Sequence, residues 1–306
     1  MTYATSGLIQ ASDFNGFIAD NPDNVNAIWA TGVGDRGYGQ TAIVPVTSSQ
    51  LISAATQVQL VQNITSSANH QGTTIGAWLD ASPINGDLIF VETNLGSNIT
   101  AITTGRLNAI AQSSTATTTG TNSIAWLNDL TFSFSVVFAG NDQARYFFNA
   151  GGQIAFNFSH PGGTSINTNL ANVCTNTGTV YSSSPTSGSA TIVGTAFNGV
   201  TKIGGGDPSN QYINTNYGFH AFTSTLTQIF QQTGTGGYYY GGAILLRIYA
   251  ASNGTGTLTF NCFVDNLTGS TVSGGTVANM ILRPPSTTYL ANTWGTPTTS
   301  VSISRT

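Results

Sequence analysis

The stretch TFSFSVVFAGNDQARYFFNAGGQIAFNFS, residues 131–159, decides what kind of fold this chain can adopt. Residues 131–136 alternate apolar and polar side chains, which is typical of a strand with one buried face. Asn141 or Asp142 can cap a helix whose aromatic side chains face inward, and a pair of glycines ends it. Residues 153–158 return as a second strand. The stretch therefore predicts antiparallel β structure with one inserted helix.

Strand patterns dominate the rest of the second half of the chain. Apolar and β-branched runs recur between turns of Gly, Asn and Ser, at residues 190–193, 243–250, 257–264 and 277–282. Residues 124–306 are therefore expected to form an antiparallel, β-sandwich-like domain.

The first third of the chain has helical patterns instead. A capped helical turn begins at Ser12-Asp13, and a short apolar face follows at residues 25–29. The clearest helix begins after Ser48 or Ser49 and stops at His70-Gln71-Gly72. A further helix is expected over about 99–111, and residues 86–91 are a strand candidate. The fold class predicted is thus α+β, with a mainly helical N-terminal region at 1–112. The Thr/Ser-rich residues 113–123 are expected to be the linker.

Charged side chains are scarce, because only 6% of the 306 residues are Asp, Glu, Lys or Arg. An ordinary soluble domain has about 25%. Thr, Ser, Asn and Gly replace them, while the hydrophobic fraction is 40%. Such a neutral surface suits a protein that is built into an assembly, since burying unpaired charge at a subunit contact is costly.

The same composition excludes several classes of partner and location. The net charge of −4 provides no basic face for nucleic acid. The chain lacks the run of roughly 18 or more apolar residues that a membrane span requires. Its first residues show no signal-peptide pattern, so we expect synthesis in a cytoplasm.

One glycine pattern resembles a dinucleotide fingerprint. Gly32-Val33-Gly34-Asp35-Arg36-Gly37 spells G-x-G-x-x-G. The fingerprint needs a preceding strand, a following helix and an acidic residue about twenty positions on. Here no Asp or Glu occurs between Asp35 and Asp80. The pattern therefore predicts a glycine loop with unusual backbone angles.

Residues for catalysis or metal binding are few and scattered. His70, His160 and His220 lie far apart, no zinc motif is present, and no G-x-S-x-G occurs. His160 is expected in a solvated loop and Cys262 as a buried strand thiol. Most carboxylates occupy turn or cap positions, which leaves a catalytic acid pair as a minor alternative. We predict no enzyme activity, no cofactor and no catalytic, cofactor-binding or metal-binding residues.

A tyrosine cluster is the candidate contact surface. Tyr238, Tyr239 and Tyr240 lie between glycine-rich segments. Exposed tyrosines of this kind contact protein or sugar. The alternative is a strand edge on which alternate tyrosines pack inward.

Several segments resemble virion structural proteins of tailed bacteriophages. They are residues 144–154 with the flanking runs 134–138 and 156–159, the start of the chain at 3–15 with Trp29 and residues 37–40, and the helix ending at 70–72. Together they cover roughly half of the chain, and residues 162–218 carry no resemblance. The resemblance implies a tail-associated or other structural component of the virion, and it implies no catalytic residues.

These observations predict a non-enzymatic virion structural protein, a fibre, baseplate or attachment component of the tail. Its partners would be copies of itself, other virion proteins and a host surface glycan, with no nucleic acid and no membrane. It would be located in the virion after assembly in the host cytoplasm. A capsid decoration or head-fibre protein, a receptor-binding module and a polysaccharide depolymerase remain alternatives.

Overall fold

The structure, a computed structural model, describes residues 11–19, 24–47, 50, 52–79, 81–82, 84, 93–234 and 244–306. These residues form an α+β fold in which N-terminal helices precede a region rich in antiparallel sheet. The predicted fold class is thereby confirmed.

Six α-helices lie in the described part of the chain. They are α1 (Ala11–Ile18), α2 (Val25–Trp29), α3 (Ala54–Gln71), α4 (Leu95–Thr104), α5 (Asn141–Asn149) and α6 (Ser165–Thr177).

The strands within the same residues are β1 (Ala116–Asn122), β2 (Asp129–Val137), β3 (Gln153–Ser159), β4 (Thr179–Ser182), β5 (Ala190–Ile192), β6 (Thr195–Phe197), β7 (Val200–Ile203), β8 (Gln211–Ile213), β9 (Thr227–Thr233), β10 (Ile244–Ser252), β11 (Thr257–Asn266), β12 (Thr276–Arg283) and β13 (Thr298–Arg305).

The strands form two large sheets and one small hairpin. One sheet has the order β1-β12-β3-β4-β7, and the other has the order β13-β2-β11-β10-β9-β8. β5 and β6 form the hairpin, and Ile192 of β5 also makes an isolated parallel bridge with Ala109. Every pairing within the sheets is antiparallel.

The two large sheets face each other across one aromatic core. Phe134 of β2 packs on Phe156 of β3, with ring centroids 6.0 Å apart, and Phe156 packs on Phe260 of β11 at 5.0 Å. All three rings are fully buried. Phe134 and Phe260 lie on the inward face of their strands, and β3 is buried on both faces over most of its length. α6 contacts β3 of one sheet and β9 and β10 of the other, and thereby bridges them.

The N-terminal helices enclose a second, smaller core. It contains buried side chains from α1 to α4, which include Phe14, Ile18, Val25, Leu60, Ile64 and Ile102. Trp29 packs against both cores, and Tyr38 belongs to the large one. The N-terminal region is therefore joined to the sheets by apolar contact.

α3 shows sequence signals acting at both of its ends. Its N-cap is Ser53, whose Oγ accepts a hydrogen bond from the Thr56 amide at 3.2 Å. Gly72 follows the helix in the left-handed conformation, with φ +68°. The predicted stop at residues 70–72 is confirmed, while the first helical residue is Ala54.

The predicted linker is wrong for most of its length. Residues 116–122 of the segment 113–123 form β1, which pairs with β12 from Ala116–Leu282 to Asn122–Thr276. A Thr-rich run resembles a linker in composition. However, threonine is β-branched and favours a strand where a neighbouring strand is available.

The β region contains two inserted helices among its described residues, where one was predicted. α6 lies in the segment that the sequence left unassigned, and Ile166, Leu170 and Val173 at helical spacing face the core. α5 appears as predicted, but its N-cap is Gly140, and neither Asn141 nor Asp142 caps it.

Two further helix and strand predictions need comment. The helix expected over about 99–111 is α4, Leu95–Thr104, because Gly105 ends it. The strand candidate at 86–91 lies outside the described residues.

β13 was not predicted. Its sequence, TTSVSISR, is short of apolar residues, and most of the strand is exposed. It forms because β2 provides a complete row of pairing partners from Val137 to Leu130.

Candidate functional site

The tyrosine cluster predicted to be a contact surface, Tyr238, Tyr239 and Tyr240, lies outside the described residues. Its role stays a prediction.

The glycine loop at residues 32–37 has the unusual backbone expected of it. Gly32, Gly34 and Gly37 have φ values of +54°, +58° and +91°. A Cβ at Gly37 would lie 1.9 Å from the carbonyl oxygen of Thr31. The loop follows α2 and leads to Tyr38, whose amide donates to the carbonyl of Ile28 at 3.0 Å. It is a turn that folds back on α2, and the prediction of a glycine loop with unusual backbone angles is confirmed.

Asn149, at the end of α5, holds this loop in place. Its Nδ2 donates to the carbonyls of Gly34, Arg36 and Gly37 at 3.2, 2.7 and 3.3 Å. Because the amide nitrogen faces three carbonyls, Oδ1 must be the acceptor. Oδ1 lies 2.8 Å from Nε2 of His220.

The hydrogen bond to Asn149 defines the tautomer that His220 adopts when its ring is neutral. Its Nε2 must donate to Asn149 Oδ1, so Nδ1 carries the lone pair. Burial lowers the pKa of His220 to about 4; the nearby Asp35 carboxylate opposes this shift, whereas Arg145 and Arg106 add to it. Around neutral pH, Nδ1 is therefore a hydrogen-bond acceptor.

The Gly32–Gly37 loop, α5 and the short 3₁₀ helix Phe219–Ala221 border an open cleft of about 730 Å³. This volume is within the range of roughly 300–1,000 Å³ found for ligand pockets. The described lining residues are mostly uncharged and mix polar side chains with glycine and apolar ones: Thr31, Gly32, Val33, Gly34, Asn141, Asp142, Arg145, Phe219, His220, Phe222, Thr223, Ser224, Ser252, Asn253 and Gly254. Sequence reasoning missed this cleft, since its walls come from four separate parts of the chain.

The charged groups of the cleft neutralise each other. Arg145 Nε and Nη2 donate to Asp142 Oδ1 at 3.3 and 3.1 Å, and Nη1 donates to the Arg36 carbonyl at 2.6 Å. The Arg145 side chain is only 9% exposed, whereas that of Asp142 is 59% exposed. Nearby, Arg106 pairs with Asp35.

One pair of carboxylates was not anticipated from the sequence. Asp129 of β2 and Asp265 of β11 are directly opposite each other in register. Burial raises the pKa of Asp265, Arg247 opposes the shift, and Asp129 adds to it. Arg247 Nη1 lies 2.6 Å from Asp265 Oδ2. The pair is thus partly neutralised, and neither acid lines the cleft.

The other two histidines are structural. His70 is buried and its Nε2 lies 3.1 Å from the carbonyl of Ala150. His160 was expected in a solvated loop, which is wrong: it is buried between Thr276 Oγ1 at 3.0 Å and Asn167 Oδ1 at 3.3 Å. Polar partners on both ring nitrogens make burial possible.

Cys262 is buried as predicted, and burial raises its pKa. No three His, Cys, Asp or Glu side chains of the described part of the chain gather closely enough to hold a metal ion.

A second surface lies where two edge strands meet: β1, at one edge of the first sheet, and β13, at one edge of the second. Thr118 Oγ1 lies 2.6 Å from Thr299 Oγ1, and Arg305 Nη1 donates to Asn122 Oδ1 at 2.7 Å. Each strand pairs on one side only within the described residues, with β12 and β2 respectively. We call residues 116–122 and 298–305 the β1–β13 seam.

The outward side chains of the seam are short and uncharged. Thr117, Thr119 and Thr121 alternate along β1, and Ser300, Ser302 and Ser304 alternate along β13; all six are exposed. Arg305 is the one charged residue of the seam.

Comparison of the chain with protein-family models, curated proteins and solved structures found no match in any of the three. Among the described helices, none is long and apolar enough to cross a membrane.

Proposed function

We propose that this chain is a non-enzymatic structural protein of a tailed-phage virion that assembles with copies of itself through the β1–β13 seam. The observation that carries the assembly proposal is a pair of adjoining strand edges without the protection that edge strands of monomeric proteins normally have. The virion assignment, and a tail location within it, rest on the sequence resemblance.

Exposed strand edges present unpaired backbone N–H and C=O groups to any approaching strand. Proteins that stay monomeric block such edges with lysine, proline or a bulge. The seam has none of these: its fifteen positions contain no lysine and no proline, and the registers of β1 with β12 and of β13 with β2 run without a shift.

The lack of charge also favours contact between identical copies. Across a two-fold interface each charge near the axis meets its own copy. The short hydroxyl side chains of β1 and β13 instead allow close approach, and Arg305 is already bonded to Asn122. A second copy is therefore the occupant that fits this edge best.

The assembly proposal is tested with the full-length chain and one substitution in the seam. Ser302→Lys puts a charge at the centre of the exposed row of β13. We expect light scattering to show an oligomer for the unchanged chain and a monomer for S302K. Thr195→Lys, at an exposed position of β6 away from the seam, is the matched control and should keep the oligomer.

Assembly through the seam would be overturned if the unsubstituted chain were monomeric at every accessible concentration, or if the S302K variant kept the mass of the oligomer.

Mass spectrometry of purified phage particles tests the virion assignment separately, and absence of the chain from the particles would contradict it. The number of copies of the chain in each particle then distinguishes a capsid location from a tail location. Hundreds of copies indicate a capsid protein, and a small multiple of three or six indicates the tail.

A further inference from the structure

The cleft beside His220 contains hydrogen-bonding groups that the protein itself leaves unused. Asp142 uses Oδ1 to bind Arg145, while Oδ2 forms no hydrogen bond with any described residue. His220 uses Nε2 to bind Asn149, and Nδ1 is likewise without a partner among the described groups. The cleft thus provides two acceptors for a ligand's hydroxyl hydrogens.

Donors line the same cleft. Asn253 accepts the amides of Thr255 and Thr257 with its Oδ1, at 2.9 and 3.0 Å, which leaves its Nδ2 for a ligand. Asn141 is exposed at the first turn of α5, and its side chain makes no hydrogen bond within the described structure. A ligand that fits must therefore both donate and accept at several points.

Apolar surface accompanies these polar groups. Phe222 is held in the wall by Phe219 and Phe260, with ring centroids 6.1 and 5.9 Å away. Val33, 68% exposed, lies on the glycine loop that borders the cleft. A ligand with one apolar face and several hydroxyl groups matches this combination.

The electrostatics disfavour an anion. Arg145 is the one cation among the described lining residues, and all three of its guanidinium nitrogens already bind Asp142 or the Arg36 carbonyl. The Asp142 carboxylate stands exposed at the N-terminus of α5, where it meets the positive end of the helix itself. A phosphate would have to approach this carboxylate without a free cation to compensate.

From this geometry we infer that the cleft is a binding site for a neutral saccharide. Asp142 Oδ2 and His220 Nδ1 accept from sugar hydroxyls, Asn141 and Asn253 donate to hydroxyl oxygens, and Phe222 packs against the apolar face of the ring. The site shares no residue with the β1–β13 seam, so its test does not depend on assembly.

The experiment is saturation-transfer NMR on the full-length chain with D-glucose, D-galactose, D-mannose and N-acetyl-D-glucosamine, each tested separately. Inorganic phosphate, followed by its phosphorus line width, is the anionic probe. We expect transfer to at least one of the four sugars and no response from phosphate.

Two variants locate the binding. Asp142→Asn keeps the acceptor for Arg145 but converts the free acceptor into a donor, and should weaken binding about tenfold. Ser224→Trp fills the cleft from an exposed position and should abolish the signal. Ser187→Trp, on an exposed loop that does not line the cleft, is the matched control and should leave binding unchanged.

Circular dichroism establishes that each variant is folded before binding is compared. Three results would overturn the inference. They are no transfer to any of the four sugars, a phosphate response that D142N alters, and equal sugar binding by S224W and S187W.

Discussion

Gly34 and Gly37 belong to one loop, yet their surroundings differ at atomic scale. Both have positive φ, at +58° and +91°. A Cβ on Gly34 would meet nothing within 4 Å, whereas a Cβ on Gly37 would overlap the backbone of Thr31. The first position therefore needs glycine for its dihedral angle alone, and the second also needs it for space.

This difference gives a matched pair of substitutions. Gly34→Ala is expected to lower the free energy of unfolding by about 1–2 kcal/mol, the strain of a left-handed alanine. Gly37→Ala adds a backbone collision and should cost about 3 kcal/mol or more. Urea denaturation of both variants measures the difference. Equal losses would mean that the loop does not pack on Thr31 as described.

At the scale of elements, the two ends of α3 are determined in different ways. Gly72 ends the helix by adopting the left-handed conformation, which a sequence pattern can predict. The start depends on Ser53, because its Oγ satisfies the amide of Thr56. Several serines precede the helix, and only the packing of the helix on the second core determines which of them becomes the cap.

Removal of this cap should weaken the first turn of α3. Ser53→Ala is expected to lower the free energy of unfolding by about 1 kcal/mol, because the Thr56 amide loses its acceptor. Hydrogen exchange at the first-turn amides should become faster, and Ser53→Thr should restore most of the protection. Unchanged exchange in S53A would show that Ser53 is not the cap.

At the scale of the whole molecule, two buried histidines join distant segments to the end of α5. His70 of α3 binds the carbonyl of Ala150, and His220 of the 3₁₀ helix binds Asn149. Burial lowers the pKa of each to about 4, from an ordinary value of 6.5. The folded protein therefore holds both rings neutral at a pH where the unfolded chain protonates them.

The sign of the pH effect follows from this difference. Between about pH 6.5 and 4 the unfolded state binds more protons, so stability must fall as the pH falls. Each histidine contributes up to about 1.4 kcal/mol per pH unit in that window. The pKa of Asp265 is raised, so at the lower end of this pH window its protonation in the folded state opposes the loss of stability.

We expect a lower free energy of urea unfolding near pH 5 than near pH 7. His70→Gln, which can still donate to the Ala150 carbonyl, should remove the His70 share of this slope. Equal stability of the unchanged chain at the two pH values would refute the burial of neutral histidines.

The sequence predicted β2 from its period-two alternation, and β3, β5, β10, β11 and β12 from strand-like runs rich in apolar and β-branched residues. It failed for β1 and β13, whose Thr and Ser residues carry little apolar signal. These strands exist because β12 and β2 offer them a pairing edge. A local pattern does not contain that information.

Local periodicity and glycine placement were enough to determine the α+β class, the core strands and the helix α5, because each depends on residues a few positions apart. The cleft and the β1–β13 seam were decided only by the tertiary structure. Asn149, Gly34 and His220 form one hydrogen-bonded group although they are separated by up to 186 positions in the sequence. Contacts of that range depend on how the sheets and helices pack, which no short stretch of residues encodes.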